Sequence, residues 1–167
     1  MKKVSTKQRM YFHWGIVVLY MVMIFYLSSQ DGTKSHEVSA GLLGYLKVLT
    51  VFILGDASDF FSGVGKNYEC ILRKAAHFTE YLILSLIVYK AMRVSKIKMK
   101  NSVIWTLILC VVYAISDEVH QYFVPGRAFA VTDIMIDTAG SIFGLTSVTL
   151  VNYLRNRWIK QRKRKEM

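Results

Sequence analysis

Four segments of the chain are long and apolar, and polar residues separate them. The first, residues 10–30, contains no Asp, Glu, Lys or Arg, and the others cover about residues 70–92, 101–123 and 133–154. A helix that crosses a membrane needs about 20 mostly apolar residues. The pattern therefore predicts an all-α, polytopic membrane protein, a bundle of about four transmembrane helices forming a single domain over residues 1–167.

Two parts of this pattern have an alternative interpretation. The first apolar segment resembles a signal peptide, but it is long for one, and the Ser-Ser-Gln-Asp that follows is not a typical cleavage site. Residues 31–69 form a long outer loop, in which the apolar stretch 37–54 predicts an amphipathic or re-entrant helix. A fifth crossing over residues 37–54 is the competing interpretation.

The basic residues lie in three clusters, before the first segment, between the second and third, and after the fourth. These clusters hold sixteen of the 22 Lys and Arg residues, whereas ten of the eleven Asp and Glu residues lie at the opposite ends of the segments or in the outer loop. Basic residues accumulate on the cytoplasmic side of membrane proteins. The distribution predicts a multi-pass protein with both termini cytoplasmic, ending in a basic cytoplasmic tail over residues 155–167, and it opposes the fifth crossing.

Composition supports the membrane class and limits the partners. Hydrophobic residues make up 53% of the chain and the mean hydropathy is +0.32, more apolar surface than a soluble domain of 167 residues can bury. The net charge of +11 sits beside the apolar segments, so we expect contact with anionic membrane lipids and no nucleic-acid partner. Cys70 and Cys110 show no metal or redox spacing.

Ionisable residues inside the segments gather at one end of each helix. The second segment begins with RKAAHFTEY, the third ends with SDEVHQ, and the fourth begins with DIMID. Because consecutive helices alternate in direction, these ends and the SSQ at the end of the first segment share the outer side. Pro125-Gly126-Arg127 predicts a tight turn between the third and fourth helices, which holds Arg127 at the same level. A charged side chain in the hydrocarbon core costs about 2.5–3.5 kcal/mol on insertion scales, so such groups turn inward and pair.

Helical spacing refines this arrangement. Arg73, His77 and Glu80 follow an i, i+4, i+7 pattern and are predicted to share a face, as are Asp117, His120 and Gln121. Asp133 and Asp137 lie one turn apart, and their stripe continues through the G-x-x-x-G of residues 140–144, where a neighbouring helix can approach closely.

The sequence thus predicts a hydrated, outward-opening polar pocket. Its predicted lining residues are Ser28, Gln30, Arg73, Lys74, His77, Glu80, Asp117, Glu118, His120, Gln121, Arg127, Asp133 and Asp137.

Each member of this set also has a purely structural interpretation. Arg73 and Lys74 are then interfacial anchors, and Asp133 is a helix cap. Glu118 points away from the face of Asp117 toward solvent, and the histidines are satisfied by local hydrogen bonds. The convergence of three helices, each with a carboxylate beside a basic or imidazole group, favours a functional site over an ion-pair cluster alone.

The same residues resemble a known family. The motifs R-K-A-A-H-F-x-x-Y (from Arg73), D-E-x-H-Q-x-F-x-P-G-R (from Asp117) and D-x-x-x-D-x-x-G (from Asp133) are similar to those of the VanZ family of bacterial membrane proteins, as is the pair of Ser28 and Gln30. The resemblance covers about residues 12–152. It implies a bacterial cell-membrane protein, and it suggests a role in resistance to the glycopeptide teicoplanin. Asn often stands in that family where this chain has Asp137.

Three hypotheses for the site follow. In the first, an intramembrane hydrolase or transferase acts at the outer leaflet on a cell-envelope or lipid-linked substrate. Arg73, Lys74 and Arg127 then bind a phosphate or carboxylate. His77 or His120 serves as general acid or base, oriented by Glu80 or Asp117, and the catalytic set includes Glu118 and Asp133.

The other two hypotheses use the same residues differently. In the second, His77, Glu80, Asp117, His120 and Asp133 hold a divalent metal such as Zn²⁺ or Mn²⁺, although their spacing matches no standard metal motif. In the third, the protein is a non-enzymatic binder of a lipid-linked cell-wall precursor or of the glycopeptide.

Overall fold

A computed structural model describes residues 5–30 and 65–165, and over these residues the chain forms four α-helices and no strand. The helices are α1 (Thr6–Ser28), α2 (Gly65–Val94), α3 (Met99–Tyr122) and α4 (Val131–Lys165). The predicted all-α architecture is confirmed. The apolar stretch 37–54 lies outside the described residues, so the amphipathic or re-entrant helix of the outer loop stays a prediction.

Local sequence fixes the helix ends and the two short connections. Ser5 and Gln8 form a capping box at the start of α1, in which each side chain bonds the backbone N–H of the other. After α2, Lys96 adopts φ 63°, and Ile97 N–H bonds Met92 O at 3.2 Å, as in a Schellman motif. These caps define where α1 begins and where α2 reverses into α3.

The turn between α3 and α4 follows the prediction made from Pro125-Gly126-Arg127. Gly126 has φ 75°, a conformation that glycine adopts without strain, and Arg127 N–H bonds Val124 O at 3.1 Å. The turn holds Arg127 at the level where α3 ends and α4 begins.

Helix α4 is longer than the predicted segment of residues 133–154. It begins two residues earlier and continues to Lys165, so the basic tail is helical over most of its length. The chain contains no Gly or Pro after Gly144, and Arg, Lys and Gln are good helix formers. The predicted segment ended where the sequence becomes polar, but nothing in the sequence there breaks the helix.

Three of the four described helices are long and apolar enough to cross a membrane, namely Thr6–Ser28, Met99–Tyr122 and Val131–Arg162. Helix α1 shows the outward face expected of such a segment, because Phe12, Leu19 and Tyr26 are all exposed. Helix α2 is more polar, yet its side chains Leu84 and Val88 are fully buried. It therefore occupies the interior of the bundle and packs most extensively against α4.

Contacts between helices show that they alternate in direction. Residues of α2 and α4 pair in one constant register: Lys74 with Asp133 and Tyr81 with Ser141 differ in number by 59 and 60. Helices α1 and α3 are parallel in the same way, since Tyr113 bonds Met21 O and Ser28 bonds Asp117. The up-down arrangement brings the predicted polar ends to the same side of the bundle.

Helices α2 and α4 approach each other closely at the G-x-x-x-G of residues 140–144, as predicted. A Cβ atom on Gly140 would collide with the carbonyl oxygen of Phe78, and one on Gly144 would collide with Ser85 Oγ. Small residues at such positions let two membrane helices pack backbone to backbone. This contact sets the register of the α2–α4 pair and hence the height at which their polar residues meet.

Candidate functional site

Polar side chains from all four helices meet at one end of the bundle, in a group that we call the polar cluster. Seven of the thirteen predicted site residues are buried there: Ser28, His77, Asp117, Glu118, Gln121, Asp133 and Asp137. Lys74, Glu80, His120, Arg127 and Gln30 are half-buried, and Arg73 is exposed. The predicted convergence of these residues is therefore observed, with Arg73 at the margin.

The end of α1 and the end of α3 are joined by a buried triangle of hydrogen bonds. Ser28 Oγ donates to Asp117 Oδ2 at 2.7 Å, and Gln121 Nε2 donates to Asp117 Oδ2 at 3.1 Å and to Ser28 Oγ at 3.2 Å. Asp117 and Gln121 stand one turn apart on α3, so a single helix face presents both to Ser28. The other carboxylate oxygen, Asp117 Oδ1, is buried without a hydrogen-bond partner among the described residues.

His77 on α2 lies beside Asp137 on α4. Its Nδ1 is 3.4 Å from Asp137 Oδ1, and both side chains are buried, with 8% and 2% of their surfaces exposed. The sequence analysis assigned Glu80 or Asp117 to orient a histidine, and the structure places Asp137 next to His77 instead. The reason is the parallel α2–α4 register, which one helix alone does not contain.

A turn further out, Lys74 Nζ contacts Asp133 Oδ1 at 3.2 Å, and Thr132 Oγ1 also donates to that oxygen. Lys74 therefore has a specific partner, beyond a role as an interfacial anchor. Asp133 is not the N-cap, because α4 begins two residues before it. It lies in the first turn, where a carboxylate interacts favourably with the helix dipole.

Glu118 is almost fully buried, with 1% of its surface exposed, so the interpretation that it points toward solvent was wrong. Its Oε1 accepts a hydrogen bond from Ala130 N–H, at the residue that precedes α4. The turn folds back over the end of α3 and covers this carboxylate. Glu118 thus ties the two ends of the α3–α4 connection together, a structural task that the helical pattern did not suggest.

Arg127 lies where the turn meets the end of α1. Its Nε donates to the backbone oxygen of Gln30 at 3.1 Å, so Gln30 contributes its carbonyl here, while its side-chain amide bonds Tyr26 O. Burial, and after it the positive charge of Arg73, lower the pKa of the Arg127 guanidinium from its usual value. Both arginines thus contribute positive charge at the outer edge of the polar cluster.

His120 and Glu80 lie at the sides of the polar cluster. The ring of His120 stacks on Phe25 with centroids 4.1 Å apart, and its Nε2 is buried without a hydrogen-bond partner among the described residues. Glu80 makes no side-chain hydrogen bond to another described residue, but it is within electrostatic range of His77 and Asp117.

Helical spacing placed Arg73 and Glu80 on the face of His77. In the structure Arg73 is exposed and Glu80 is half-buried, whereas Tyr81, one turn after His77, is fully buried.

A family comparison agrees with these observations. The VanZ/LLP1 family model matches residues 13–152, which is most of the chain and includes every residue of the polar cluster. The chain belongs to the VanZ/LLP1 family. No curated protein and no solved structure gave a match. With its apolar helices, this protein is a VanZ-like membrane protein.

Tyr81 is a residue of this VanZ-like protein that the list of site residues missed. It is fully buried, its hydroxyl has no hydrogen-bond partner among the described residues, and it lies within electrostatic range of Asp117 and Asp137. The spacing contained the signal, because Tyr81 follows His77 by four residues and so shares its face more closely than Glu80 does. Tyr81 places a hydroxyl at the floor of the polar cluster.

The residues predicted to hold a divalent metal are not arranged as its ligands. Within residues 5–30 and 65–165, no group of three His, Cys, Asp or Glu side chains stands in an arrangement that would hold a metal ion. One oxygen of Asp117 already accepts hydrogen bonds from Ser28 and Gln121, and Asp133 is paired with Lys74. These contacts do not fit a metal centre.

Proposed function

We propose that this VanZ-like protein acts on a cell-envelope or lipid-linked substrate at the outer face of the bacterial cell membrane, and that it thereby lowers susceptibility to teicoplanin. The proposal places both termini in the cytoplasm and the polar cluster at the outer leaflet. The clustering of basic residues at the opposite end of the helices supports this orientation.

The observation that carries the proposal is the imidazole–carboxylate pair of His77 and Asp137 inside an apolar bundle. Three polar atoms around it are buried without hydrogen-bond partners among the described residues: Tyr81 Oη, Asp117 Oδ1 and His120 Nε2. The facing atoms of the pair, His77 Nδ1 and Asp137 Oδ1, have only each other, at 3.4 Å. Each such group costs about 1–3 kcal/mol. A cluster that served stability alone would satisfy them, so their retention favours a functional role.

The chemistry that the pair supports is proton transfer. Asp137 orients the imidazole of His77 and stabilises its protonated form, so that His77 can accept a proton from an attacking hydroxyl or water and return it to a leaving group. Within the described part of the chain, no serine or cysteine side chain forms a hydrogen bond with His77. The enzymatic form of the proposal is therefore a hydrolase or transferase in which substrate or water supplies the nucleophile.

A non-enzymatic binder of a cell-wall precursor or of the glycopeptide is the second candidate. It is favoured by Arg127, which is half-buried and held at the outer edge of the polar cluster by the carbonyl of Gln30. In this form the polar side chains are ligand contacts only, and no group needs to transfer a proton.

The test compares teicoplanin susceptibility in a bacterium that lacks the gene and in the same strain carrying wild-type protein or variants. We expect wild-type protein to raise the inhibitory concentration and His77→Ala to abolish the increase at equal protein levels in the membrane. His13→Ala is the matched control, because His13 lies at the other end of the bundle and hydrogen-bonds only within its own helix. An unchanged inhibitory concentration with wild-type protein would refute the resistance role.

The two candidate functions predict different orders of effect among the variants. For an enzyme, His77→Ala and Asp137→Ala remove the whole effect, whereas Arg127→Gln raises the substrate concentration that is needed. For a binder, Arg127→Gln causes the largest loss of the increase in inhibitory concentration, and His77→Ala causes only a partial loss. Terminal reporter fusions, active only in the cytoplasm, test the orientation separately.

A further inference from the structure

The outer edge of the polar cluster carries basic side chains, whereas the residues beneath it are acidic. This difference indicates the chemical groups of a ligand that would fit the cluster. At the edge stand Arg127 and Arg73, and no described acidic side chain forms an ion pair with either. Lys74, which the sequence also predicted to bind a phosphate or carboxylate, is already paired with Asp133. Among the described residues at this end, the two arginines are therefore the Lys or Arg side chains without an ion-pair partner.

Arg127 is prepared to bind an anion. Its Nε is fixed by Gln30 O, which leaves the two terminal nitrogens of the guanidinium free of described partners. A guanidinium held by one edge presents its remaining donors as a fork, which matches two oxygens of a phosphate or carboxylate. Arg127 is half-buried, so its guanidinium has lost part of its water, and a bound anion would compensate for that loss.

Beneath the arginines the cluster presents acceptors instead of donors. Asp117 Oδ1 is a buried carboxylate oxygen without a hydrogen-bond partner among the described residues, and Asp137 Oδ1 has only His77 Nδ1, at 3.4 Å. Gln30, whose carbonyl holds Arg127, follows by two residues Ser28, which bonds Asp117, so the anion-binding edge adjoins the buried acceptor. A buried carboxylate oxygen is best satisfied by an ammonium or hydroxyl group.

We propose that the polar cluster binds an amphiphile whose anionic group, a phosphate or carboxylate, lies between Arg127 and Arg73 and whose neighbouring amine or hydroxyl donates to Asp117 and Asp137. The inference rests on the proposed function and specifies the substrate class of the same site. An anion without a neighbouring donor would contact only Arg127 and Arg73. A cation without N–H or O–H donors, such as a quaternary ammonium, would form no hydrogen bond with the carboxylates.

The test measures binding of short-chain lipids to purified full-length protein in detergent, by calorimetry or by the shift in thermal unfolding. Phosphoethanolamine and phosphoglycerol headgroups carry a donor beside the phosphate, and phosphocholine carries none. We expect the first two to bind at least about tenfold more tightly than phosphocholine, because a charge-assisted hydrogen bond is lost with the donor. Equal affinity for all three would overturn the proposal.

Variants separate the two halves of the site. Arg127→Gln should weaken binding of every phosphate headgroup about tenfold or more, and Arg127→Lys should recover only part of it, since lysine lacks the fork. Asp117→Asn should instead remove the preference for ethanolamine over choline while leaving the contribution of the phosphate intact. Arg73→Gln changes an exposed side chain and so tests the edge even if Arg127→Gln does not fold.

Controls identify the source of the anion and the specificity of the effect. Arg157→Gln removes an exposed arginine at the opposite end of the bundle and should leave binding unchanged. Water-soluble phosphoethanolamine and inorganic phosphate distinguish a free headgroup from a lipid: binding of the lipid alone assigns a membrane amphiphile, and equally tight binding of the soluble compounds overturns that part. Loss of binding in Arg157→Gln would show charge attraction only and would also overturn the proposal.

Failure here is distinguishable from failure of the proposed function. If wild-type protein alters teicoplanin susceptibility but shows no headgroup preference, the resistance role stands and the substrate class is wrong. If the preference is found without any change in susceptibility, the site binds this ligand for another purpose.

Discussion

The two ends of the helix bundle differ in whether their charged side chains are buried or exposed. At the end that holds the polar cluster, carboxylates such as Asp117 and Asp137 are buried, and their contacts come from neighbouring helices. At the other end, Arg155, Arg157 and Lys160 are exposed along the extension of α4. Both ends carry many charged residues, so the number of charges does not distinguish them.

The comparison shows that pairing between helices, rather than composition, marks the candidate site. An exposed basic end needs only solvent and lipid headgroups, and it constrains neither helix register nor helix rotation. A buried acidic end must have its partners positioned by packing, or it is too costly in an apolar bundle. Substitutions of one residue type at both ends therefore test the difference directly.

The largest effect is expected from Gly140→Leu. The new side chain would push into the backbone of Phe78 and separate α2 from α4 at the level of the polar cluster. Overpacking typically costs about 1–3 kcal/mol, and more where the obstacle is backbone. We expect little or no folded protein after detergent extraction, measured by size-exclusion profile and thermal unfolding.

Gly15→Leu is the control for that prediction. Gly15 lies on α1, where an added Cβ meets nothing within 4 Å, so the folded fraction should equal that of wild type. Equal loss of folded protein in both variants would show that any glycine in an apolar helix is sensitive, and the α2–α4 contact would lose its special status.

The second effect is expected from His77→Leu, which leaves Asp137 buried without its imidazole. Removing one partner of a buried charged pair costs on the order of 3–5 kcal/mol, whereas replacing both by apolar residues is often close to neutral. The double variant His77→Leu with Asp137→Leu should therefore recover stability in thermal unfolding but not the proposed effect on teicoplanin susceptibility. Recovery of both would assign the pair a structural role only.

A smaller effect is expected from Ser28→Ala, which deletes the hydroxyl that bonds Asp117. Side-chain hydrogen bonds between membrane helices contribute on average about 0.6 kcal/mol, with a maximum near 1.7 kcal/mol. We expect destabilisation of about 1 kcal/mol in reversible unfolding with a denaturing detergent. Ser29→Ala is the neighbouring control, because Ser29 bonds only Tyr26 O on its own helix and should change stability less.

The smallest effect is expected from the Lys74–Asp133 pair. Lys74 is about one-third exposed, so solvent screens its attraction to Asp133. A double-mutant cycle with Lys74→Met and Asp133→Asn should give a coupling free energy of about 0.5 kcal/mol, falling as salt is added. A coupling several times larger would place this pair among the buried contacts of the polar cluster and not at its edge.

Much of this arrangement was contained in the sequence. Apolar length located α1, α3 and most of α4, and the grouping of ionisable residues at alternate helix ends indicated which ends would meet. The Pro125-Gly126 pair predicted the turn, and the G-x-x-x-G of residues 140–144 predicted the close approach of two helices. These features were predictable because each depends on spacing within one helix or on the backbone freedom of one residue.

Other features escaped the sequence for an equally physical reason. The seven-residue spacing of Arg73 and Glu80 suggested that both share the face of His77, but Arg73 is exposed, and the fully buried residue one turn from His77 is Tyr81. A helix pattern gives angles around its own axis, and it does not say which angle points to the interior. Burial of Glu118 under the turn at Ala130 depends on the path of a loop, which has no periodicity to read.

The sequence by itself determined that this is a VanZ-like helical membrane protein whose charged residues fall at particular helix ends. Only the tertiary structure decided that His77 faces Asp137, that Lys74 faces Asp133 and that Asp117 is held by Ser28. The physical reason is that these pairs are separated by 59 to 89 residues and are set by the depth to which one helix slides along another. The absence of side chains at Gly140 and Gly144 fixes that depth for α2 and α4, and it acts only once the helices have packed.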